Sequence, residues 1–441
     1  MARPRRRIPL MAYLNSRLVG RLNRQPSGAI DFQYDQAWLS WEHAMPVSLS
    51  LPLREDRYIG EPVVAVFDNL LPDNERIRRR MAERVGAEGH DAYSLLAAVG
   101  RDCVGALQFL PQGRTPSVAG TVAGRAASER DIARLIRELG QKPLGIDKDD
   151  TFRISIAGAQ EKTALLFWKG QWHIPTGTTA TTHILKPQIG TLGSIDLTRS
   201  VENEYCCMKL IQAFGLPAAQ VDIVDFENER VLVIVRFDRR WTRDERLLRL
   251  PQEDCCQALS IPPTRKYEPD GGPGMAAVLD FLKASDDPGT DQDLFLKAQT
   301  LFWLMGATDG HAKNFSVFLM PGGRFRLTPL YDVMSAQPNI DAGELRHAQM
   351  KFAMAVGDQR HYPIRTILPR HFVQTAAKAG ISHGRVENVF RELVRTAPSA
   401  IDHTLSKLPE NFPSEIADSI VGGLQRRCRM LEDFLATDSD A

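Results

Sequence analysis

Apolar positions come in short runs through the first part of the chain and recur at helical spacing through much of the second. Between residues 150 and 240, runs rich in β-branched and aromatic residues are bounded by turn formers, which predicts strands. After residue 255 the apolar positions follow the i, i+3, i+4 pattern of helices almost to the end. A β-rich part followed by a helical part predicts an α+β fold with two lobes facing a cleft.

The same pattern predicts individual elements. Residues 8–20, IPLMAYLNSRLVG, predict two strands joined by an Asn-Ser turn, and residues 45–53, MPVSLSLPL, alternate like a half-buried strand. Residues 65–86 predict two helices separated at Pro-Asp-Asn, and residues 200–215 predict another helix. Turn formers and small residues make residues 111–128 the best linker candidate. The strands predicted after the linker are TFRISIAG (151–158), KTALLFWKG (162–170), QWHIP (171–175), THILKP (182–187), VDIVDF (221–226) and RVLVIVRFDRR (230–240).

Length and composition indicate the number of domains and the class of protein. The chain has 441 residues, 43% hydrophobic and 25% charged, with a formal net charge of +1. It is long for one hydrophobic core and has the composition of a soluble globular protein, which neither requires nor excludes a nucleic-acid partner. We expect three domains: an N-terminal α/β subdomain at 1–120, a β-rich domain at 121–250 and a mainly helical domain at 251–441.

The compartment is predicted from what the chain lacks. The longest apolar runs, such as residues 231–235, are far shorter than the roughly 18 residues that a membrane span needs. The basic N-terminus has neither the continuous apolar segment nor the cleavage site of a signal peptide. The six cysteines lack metal-binding spacing, which favours reduced thiols that pack structurally. We therefore expect a cytoplasmic protein without membrane contact, whose N-terminal arginines form a solvated arm or, less favoured, contact a phosphate backbone.

Residues 302–336, FWLMGATDGHAKNFSVFLMPGGRFRLTPLYDVMSA, gather polar side chains at the end of an apolar segment. Residues 291–305 have the apolar spacing of a helix, and Gly306 is a natural stop for it. The runs FSVFLM and RFRLTPL then flank Pro-Gly-Gly at 321–323, which predicts a hairpin.

The hairpin is expected to bring oxygen-bearing side chains together at its open end. If its pairing is symmetric about Gly323, Asn314 lies opposite Asp332, with Cα atoms about 4.5–5.5 Å apart, beside the loop that carries Asp309. Mg²⁺ prefers such hard oxygen ligands and retains water and phosphate oxygens. The pattern therefore predicts a site for a magnesium nucleotide.

The order of these residues also matches a protein kinase. A kinase catalytic loop places its base aspartate shortly before a metal-binding asparagine, and a second metal-binding aspartate follows a hairpin. Asp309, Asn314 and Asp332 occur in that order, although the His-Arg-Asp and Asp-Phe-Gly motifs are absent. Taken singly, each residue is better explained as a turn or cap residue, so the prediction depends on the set.

Other kinase parts have weaker candidates. Lys186 ends a predicted strand and is positioned to hold phosphates, and Glu202 or Glu204 on the following helix is able to orient it. Residues 158–162 form a turn whose backbone N–H groups are able to cover phosphates, but it is neither a Walker A nor a G-x-G-x-x-G loop. Residues 233–240 end a buried strand where backbone groups are able to read adenine.

His311 lies inside the catalytic loop, where a phosphate contact is plausible, whereas the other histidines are scattered and form no metal set. A Ser/His/Asp hydrolase is compatible with the composition, but no G-x-S-x-G elbow occurs.

Long sequence words make the chain resemble the HipA family of bacterial toxin serine/threonine kinases along nearly its full length. The words that carry the resemblance are PVSLSLPL (46–53), FDNLLPD (67–73), VGRDCVGA (99–106), TFRISIAGAQEKTAL (151–165), RFDRRW (236–241), RLPQED (249–254), DGGPG (270–274), GATDGHAKNFSVF (306–318) and LTPLYD (327–332).

The resemblance implies a bilobed protein-kinase-like fold, with a small N-terminal α/β subdomain and a mainly helical C-terminal lobe, that uses ATP and Mg²⁺. It implies that Asp309 is the base, that Asn314 and Asp332 bind metal, and that Ser155 is an inactivating autophosphorylation site. Glu204 is a weak candidate for the lysine-orienting glutamate. The residues implied to bind ATP are Ala157, Gly158, Ala159, Gln160, Glu161, Lys162, Lys186, Val235, Arg236, Phe237, His311 and Tyr331.

The resemblance also implies partners. Family substrates are aminoacyl-tRNA synthetases, with the glutamyl enzyme as the first candidate, and their modification inhibits translation and growth and leads to persistence. A dimeric helix-turn-helix antitoxin, HipB, sequesters the kinase, and the complex represses its operator DNA. The segment expected to contact DNA, TAAKAGISHGR (375–385), is shifted here, which makes Lys378 and Arg385 weak candidates for backbone contacts. The hinge reads Val-Arg-Phe at 235–237, where the family often has Glu-Arg-Phe.

Two other functions remain open on the sequence. The same site would serve a small-molecule kinase, because positioning and Mg²⁺ suffice for many hydroxyl acceptors. A co-repressor subunit without catalysis is the non-enzymatic alternative, against which the intact set of Asp309, Asn314, Asp332 and Lys186 argues.

Overall fold

The structure is a computed structural model that describes residues 8–145, 154–158 and 160–438. The N-terminal arginine cluster, the first three residues of the predicted strand at 151–158, and Ala159 lie outside the described residues. The strands are β1 (Leu10–Leu14), β2 (Arg17–Arg24), β3 (Ile30–Tyr34), β4 (Tyr58–Ile59), β5 (Leu107–Pro111), β6 (Gly124–Ala126), β7 (Thr163–Trp168), β8 (Gln171–Pro175), β9 (His183–Pro187), β10 (Gly190–Leu192), β11 (Ile195–Leu197), β12 (Val221–Phe226), β13 (Glu229–Val235), β14 (Arg239–Trp241), β15 (Leu247–Arg249), β16 (Gln252–Asp254), β17 (Ser316–Leu319), β18 (Phe325–Leu327), β19 (Lys351–Val356) and β20 (His361–Pro363).

The α-helices are α1 (Gln36–Leu39), α2 (Glu61–Asp68), α3 (Glu75–Val85), α4 (Ala92–Val99), α5 (Glu129–Arg137), α6 (Ser200–Ala213), α7 (Cys255–Ala258), α8 (Met275–Phe281), α9 (Pro288–Met305), α10 (Gln337–Asp341), α11 (Pro369–Lys378), α12 (His383–Lys407) and α13 (Ser414–Asp438).

The chain forms two compact units, and each is built from three segments. Unit 1 consists of Met1–Pro187, Asp225–Thr264 and Val317–Phe325; unit 2 consists of Gln188–Val224, Arg265–Ser316 and Arg326–Ala441. The three domain ranges expected from the sequence stay a prediction.

Unit 1 contains most of the strands. A five-stranded sheet has the order β4-β3-β2-β1-β5, and β1 and β2 are joined by Asn15 and Ser16, both with positive φ, as the Asn-Ser turn predicts. A second sheet has the order β13-β9-β7-β8-β6, and the end of β12 that belongs to this unit lies beside β13. A third sheet, β16-β17-β18, holds the tip of the predicted hairpin. The two helices predicted within residues 65–86 are confirmed as α2 and α3.

Three strand or linker predictions in unit 1 were wrong. Residues 45–53 form turns, because side chains rather than a neighbouring strand satisfy their backbone: Leu49 N donates to Glu253 Oε1 (2.7 Å) and Val47 N donates to Tyr34 Oη (2.9 Å). The described part of residues 151–158 makes a single β-bridge, from Gly158 to Pro72. The expected linker at 111–128 ends in β6, which pairs with β8.

Unit 2 is mainly helical, as predicted, and its core contains aromatic as well as aliphatic side chains. The predicted helices at 200–215 and 291–305 are confirmed as α6 and α9. Trp303 of α9 packs against Phe372 of α11 with ring centroids 5.6 Å apart. The sequence did not predict the hairpin of β19 and β20, whose apolar run is short enough to form a buried strand within this mainly helical part of the chain.

Unit 1 also buries a network of charges. Asp102 accepts hydrogen bonds from Arg239 Nη2 (2.9 Å), Arg249 Nε (3.0 Å) and Arg236 Nη1 (3.4 Å), and Asp238 pairs with Arg236 and Arg239. Burial alone would raise the pKa of the Asp102 carboxyl, but Arg239, Arg249 and Arg236 hold it well below its usual range. The carboxylate is therefore charged and compensated at neutral pH.

No helix within the described residues is both long and apolar enough to cross a membrane. All six cysteines are buried and free, which agrees with the expectation of reduced thiols with structural roles. Burial raises the pKa of Cys103, Cys206 and Cys428 to about 12.

We predict that Asp102→Asn lowers the free energy of unfolding by about 3–5 kcal/mol, because it leaves buried guanidinium groups without their carboxylate. Urea denaturation monitored by circular dichroism measures the change. Because the folded-state pKa of Asp102 is depressed, its contribution is present above the unfolded value of about 3.9 and is lost as pH falls toward the folded value. The difference between the wild-type and variant curves should therefore begin to shrink below about pH 4 and continue to shrink as the pH falls further.

The matched control is Asp244→Asn, which removes an exposed carboxylate that pairs with Arg246 in the same unit. It should leave the free energy of unfolding nearly unchanged, because solvent screens an exposed ion pair. Equal losses for the two variants would contradict the role of the buried network.

Candidate active site

The predicted catalytic loop begins where α9 ends. Gly306 adopts a left-handed φ of 72°, and Ala307 N then donates to Phe302 O at 2.8 Å, which closes the helix. Two further backbone hydrogen bonds fix the departing chain: Ala336 N donates to Gly306 O (2.9 Å) and Ala353 N to Thr308 O (2.9 Å). The start of the loop therefore has little freedom.

Aromatic packing fixes the end of the loop. Phe315 is buried against Phe295 and Phe302 of α9, with ring centroids 4.7 and 5.9 Å away. Between the two ends, Gln299 Nε2 of α9 donates to Gly310 O at 3.1 Å. The loop is thus held against the helix that precedes it at both ends and in the middle.

The loop brings the first two predicted catalytic residues together in unit 2. Asn314 Nδ2 donates to the backbone carbonyl of Asp309 at 2.8 Å, and His311 N donates to the same oxygen at 2.8 Å. The Asn314 side chain is buried, and its Oδ1 accepts no hydrogen bond from the residues that the structure describes, whereas the Asp309 side chain is 56% exposed. The arrangement offers a solvent-facing carboxylate beside an oriented amide oxygen.

Tyr267 adds a contact that the sequence did not predict. Its hydroxyl donates to Asp309 Oδ1 at 2.7 Å, and its ring meets the His311 ring edge to face at a centroid distance of 4.8 Å. Only the neighbouring DGGPG word, which belonged to the resemblance, pointed to this part of the chain.

His311 is a buried, neutral imidazole. Burial lowers its pKa below the usual range, against the opposing charge of Asp309, while Lys266 lowers it further and Asp332 raises it. Its Nδ1 atom is buried and makes no hydrogen bond with the residues that the structure describes.

The hairpin register differs from the predicted one. Met320 N donates to Arg324 O and Thr328 N to Ser316 O, both at 2.9 Å, which centres the pairing on Gly322 rather than Gly323. Both glycines have left-handed φ, so the turn closes one residue earlier than symmetry about Gly323 requires. Asn314 and Asp332 are therefore not cross-strand partners.

The segment that follows β18 is held in place by other contacts, one of which joins it to the catalytic loop. Tyr331 Oη donates to Lys313 O at 3.0 Å and lies 2.5 Å from Ser316 Oγ. Leu330 exchanges backbone hydrogen bonds with Pro217 and Ala219, at 2.8 and 2.9 Å. Asp332 follows with a left-handed φ of 61°, a conformation that aspartate tolerates better than most residues.

Helix α6 contributes an anchor that the sequence analysis missed. Asn203 Nδ2 donates to Ser335 O at 2.7 Å while its Oδ1 accepts from Ser335 N at 2.8 Å, and Ser335 Oγ donates to Met305 O at 2.6 Å. The flanking Glu202 is buried and accepts from Gln188 Nε2 at 2.7 Å, and Glu204 is buried as well. Asn203, which lies between the two candidate glutamates, holds the segment after Asp332.

The remaining predicted ATP residues lie in unit 1. Lys186 is buried on β9 opposite Leu232 of β13, and Lys162 Nζ donates to Ala157 O at 2.8 Å. Gly158 has a φ of 111°, which no residue with a Cβ adopts readily, and Gln160 Nε2 donates to Pro187 O at 2.9 Å. Glu161 pairs with Arg80 of α3 at 2.5 Å.

Ser155 is fully buried in unit 1. Its Oγ donates to Leu70 O at 2.7 Å and its N–H to Asp102 O at 2.9 Å. A phosphate group carries a charge of about −1.5 to −2, so modification requires this segment to leave its present place.

The predicted hinge residues have different environments. Val235 is exposed, and Phe237 packs edge to face against Phe318 at 5.9 Å. Arg236 directs its guanidinium into the buried charge network, and its N–H donates to Thr182 O at 2.9 Å. Neither the side chain nor the N–H of Arg236 is therefore available to a ligand in this conformation.

The two weak DNA candidates both have carboxylate partners in unit 2. Lys378 pairs with Asp358 at 3.2 Å, and Arg385 pairs with Asp293 at 2.6 Å.

Comparisons with known proteins identify two family regions. Residues 10–110 match the HipA N-terminal domain, and residues 154–401 match the HipA-like C-terminal domain. A Sinorhizobium fredii protein, Y4mE, which carries a provisional name as a kinase, is 31% identical over 424 residues, covering 94% of this chain and 97% of its own. The Shewanella oneidensis serine/threonine-protein kinase toxin HipA is 26% identical, covering 91% of this chain and 90% of its own.

A solved structure shows the same fold. Shewanella oneidensis HipA, determined in complex with HipB and its operator DNA, superposes with a TM-score of 0.79 at 24% identity, over 96% of this chain and 98% of that chain. The predicted α+β, kinase-like fold class is confirmed by this likeness. The two family matches and the relative that is 31% identical along 94% of the sequence together show that this chain belongs to the HipA family.

Proposed function

We propose that this protein is an ATP-dependent serine/threonine-protein kinase that acts as a toxin. The observation that carries the proposal is the hydrogen bond from Asn314 Nδ2 to the Asp309 carbonyl, since it sets a solvent-facing carboxylate beside an oriented amide oxygen in the order of a kinase catalytic loop. The Shewanella relative named as a serine/threonine-protein kinase toxin supports the assignment.

Asp309 is the proposed base. Its exposed carboxylate accepts the proton of the acceptor hydroxyl as that oxygen forms its bond to the γ-phosphorus and ADP leaves. Asp309 Oδ2 lies 3.9 Å from His311 Nε2, too far for a hydrogen bond, and is the oxygen left for this proton. A modest base suffices, because most of the catalysis in phosphoryl transfer comes from alignment and charge stabilisation.

Asn314 and Asp332 are the proposed magnesium ligands. Within ranges 8–145, 154–158 and 160–438, no group of three or more His, Cys, Asp or Glu side chains forms a metal site. The fit therefore depends on the donors themselves: the unused Oδ1 of Asn314 and the Asp332 carboxylate are the hard oxygens that Mg²⁺ prefers. Bound there, Mg²⁺ would supply positive charge that offsets the charge of the ATP phosphates.

The protein residues proposed below to bind the ATP phosphates and adenine belong to unit 1. We propose that Lys186 holds ATP phosphates, that residues 157–162 form the phosphate loop, and that backbone groups at 235–237 contact adenine. The buried charge network leaves the Arg236 side chain a structural role, which is why adenine recognition is assigned to the backbone there. Ser155, just before the loop, is the proposed site of inactivating autophosphorylation.

The proposed acceptor is an aminoacyl-tRNA synthetase, with the glutamyl enzyme as the first candidate, so that phosphorylation inhibits translation and growth and leads to persistence. The proposed partners are a HipB-type antitoxin and, through that complex, operator DNA, on the model of the Shewanella assembly. The proposed place of action is the cytoplasm.

We predict that Asp309→Asn lowers transfer of phosphate from labelled ATP to protein by more than about a hundredfold, because the base is lost. Mass spectrometry of cell proteins after expression of each form locates the phosphate on the acceptor and on Ser155. The melting temperature should not change, because the Asp309 side chain is more than half exposed.

The matched control is Asp402→Asn, the same change at an exposed position of α12, which should leave transfer unchanged. Full activity of the Asp309 variant would refute the base assignment. Label on a small metabolite alone, with none on Ser155 or any protein, would favour a small-molecule kinase.

We also predict that Asp332→Asn raises the Mg²⁺ concentration needed for half-maximal transfer by about tenfold or more, because a charged oxygen ligand becomes neutral. Asparagine tolerates the left-handed backbone at this position, so the substitution tests charge and not folding. A Mg²⁺ titration at saturating ATP measures the effect. An unchanged titration would remove Asp332 from the metal site.

A further inference from the structure

A phenol hydroxyl lies against the proposed catalytic carboxylate. Tyr267 Oη donates to Asp309 Oδ1 at 2.7 Å, a distance typical of a strong O–H···O⁻ hydrogen bond. Asp309 Oδ2 accepts no hydrogen bond from the residues that the structure describes. The two oxygens of the carboxylate are thus distinguished, one held and one open.

The contact also fixes the neighbouring imidazole. The Tyr267 ring meets the His311 ring at 80° with centroids 4.8 Å apart, and His311 N donates to the Asp309 carbonyl. Tyr267 therefore contacts the catalytic loop at two points from a segment some forty residues earlier in the chain.

Two glycines determine the conformation of the segment that carries Tyr267. Gly271 has a φ of 93°, and Gly272 N donates to Tyr267 O at 2.9 Å. A Cβ atom on Gly272 would collide with the backbone oxygens of Arg265 and Tyr267, so only glycine permits this close approach. The DGGPG word thus shapes the loop that presents the tyrosine.

The adjacent glutamate anchors the same segment. Glu268 Oε2 accepts from Ala355 N at 2.5 Å, and Glu268 Oε1 pairs with Arg360 at 3.2 Å. Ala353 of the same strand, β19, donates to Thr308 O, next to Asp309. The strand therefore supports the tyrosine segment and the catalytic loop together.

We propose that Tyr267 is a positioning residue for the transfer reaction, an inference that rests on the proposed kinase function. An exposed aspartate samples several rotamers, and holding Oδ1 restricts the carboxylate to orientations in which Oδ2 faces the acceptor hydroxyl. Tyr267 itself neither gains nor loses a proton. Its hydroxyl aligns the base, and its ring keeps His311 in place.

The test is Tyr267→Phe, which keeps the ring on His311 and removes only the hydroxyl. Initial rates of transfer from labelled ATP to the proteins of a cell extract are measured as ATP is varied, with the full chain as enzyme. We expect the maximal rate to fall about tenfold, the ATP concentration at half-maximal rate to stay within about twofold, and the melting temperature to stay unchanged. A merely structural role would not separate these quantities.

Tyr13→Phe is the matched control, because its hydroxyl donates to a backbone carbonyl, that of Arg114, and contacts no carboxylate there. It should leave the rate unchanged. An unchanged maximal rate for Tyr267→Phe would overturn the inference, and so would a rate that falls together with the melting temperature. If Asp309→Asn is inactive while Tyr267→Phe is fully active, only this inference fails, whereas an active Asp309→Asn defeats the proposed function itself.

Discussion

The hydrogen bond between the Asn314 amide and the Asp309 carbonyl closes a loop between residues five positions apart in sequence, and the rest of the site depends on that closure. The loop must leave α9, turn, and return to a buried phenylalanine without unfolding the helix. Gly306, with its left-handed backbone, allows the turn, and the packing of Phe315 against Phe295 of α9 fixes the return of the chain. With both ends fixed, this side-chain hydrogen bond decides which amide atom of Asn314 remains for a ligand.

Much of the conformation of the catalytic loop could be predicted from the sequence, because it depends on interactions between residues close in the chain. The apolar spacing of α9, its glycine stop and the turn formers at 321–323 each specify local conformation, and the structure has all three. The order of Asp309, Asn314 and Asp332 is likewise independent of the exact register. The family was recognisable from long words, and the comparisons confirm it.

The parts that sequence reasoning missed depend on contacts between distant segments. The hairpin register changed because two consecutive glycines adopted left-handed φ, which no periodicity reveals. Residues 45–53 alternate like a strand, yet side chains from other parts of the chain satisfy their backbone. Glu253 is 204 residues from its partner Leu49, and Tyr34 is 13 residues from its partner Val47. The sequence did not predict the contacts of Tyr267 and Asn203 for the same reason, since neither residue lies in a motif whose spacing predicts its partner.

The burial of every thiol has a practical consequence for labelling. A thiol with a pKa near 12 holds almost no thiolate at neutral pH, and a buried one is also shielded from reagents. Maleimide dyes should therefore not react with the cysteines of the folded protein on the timescale of ordinary labelling. A cysteine introduced on the surface would carry the only fast-reacting sulfur, so fluorophore pairs for distance measurements can be attached without first removing the six natural cysteines.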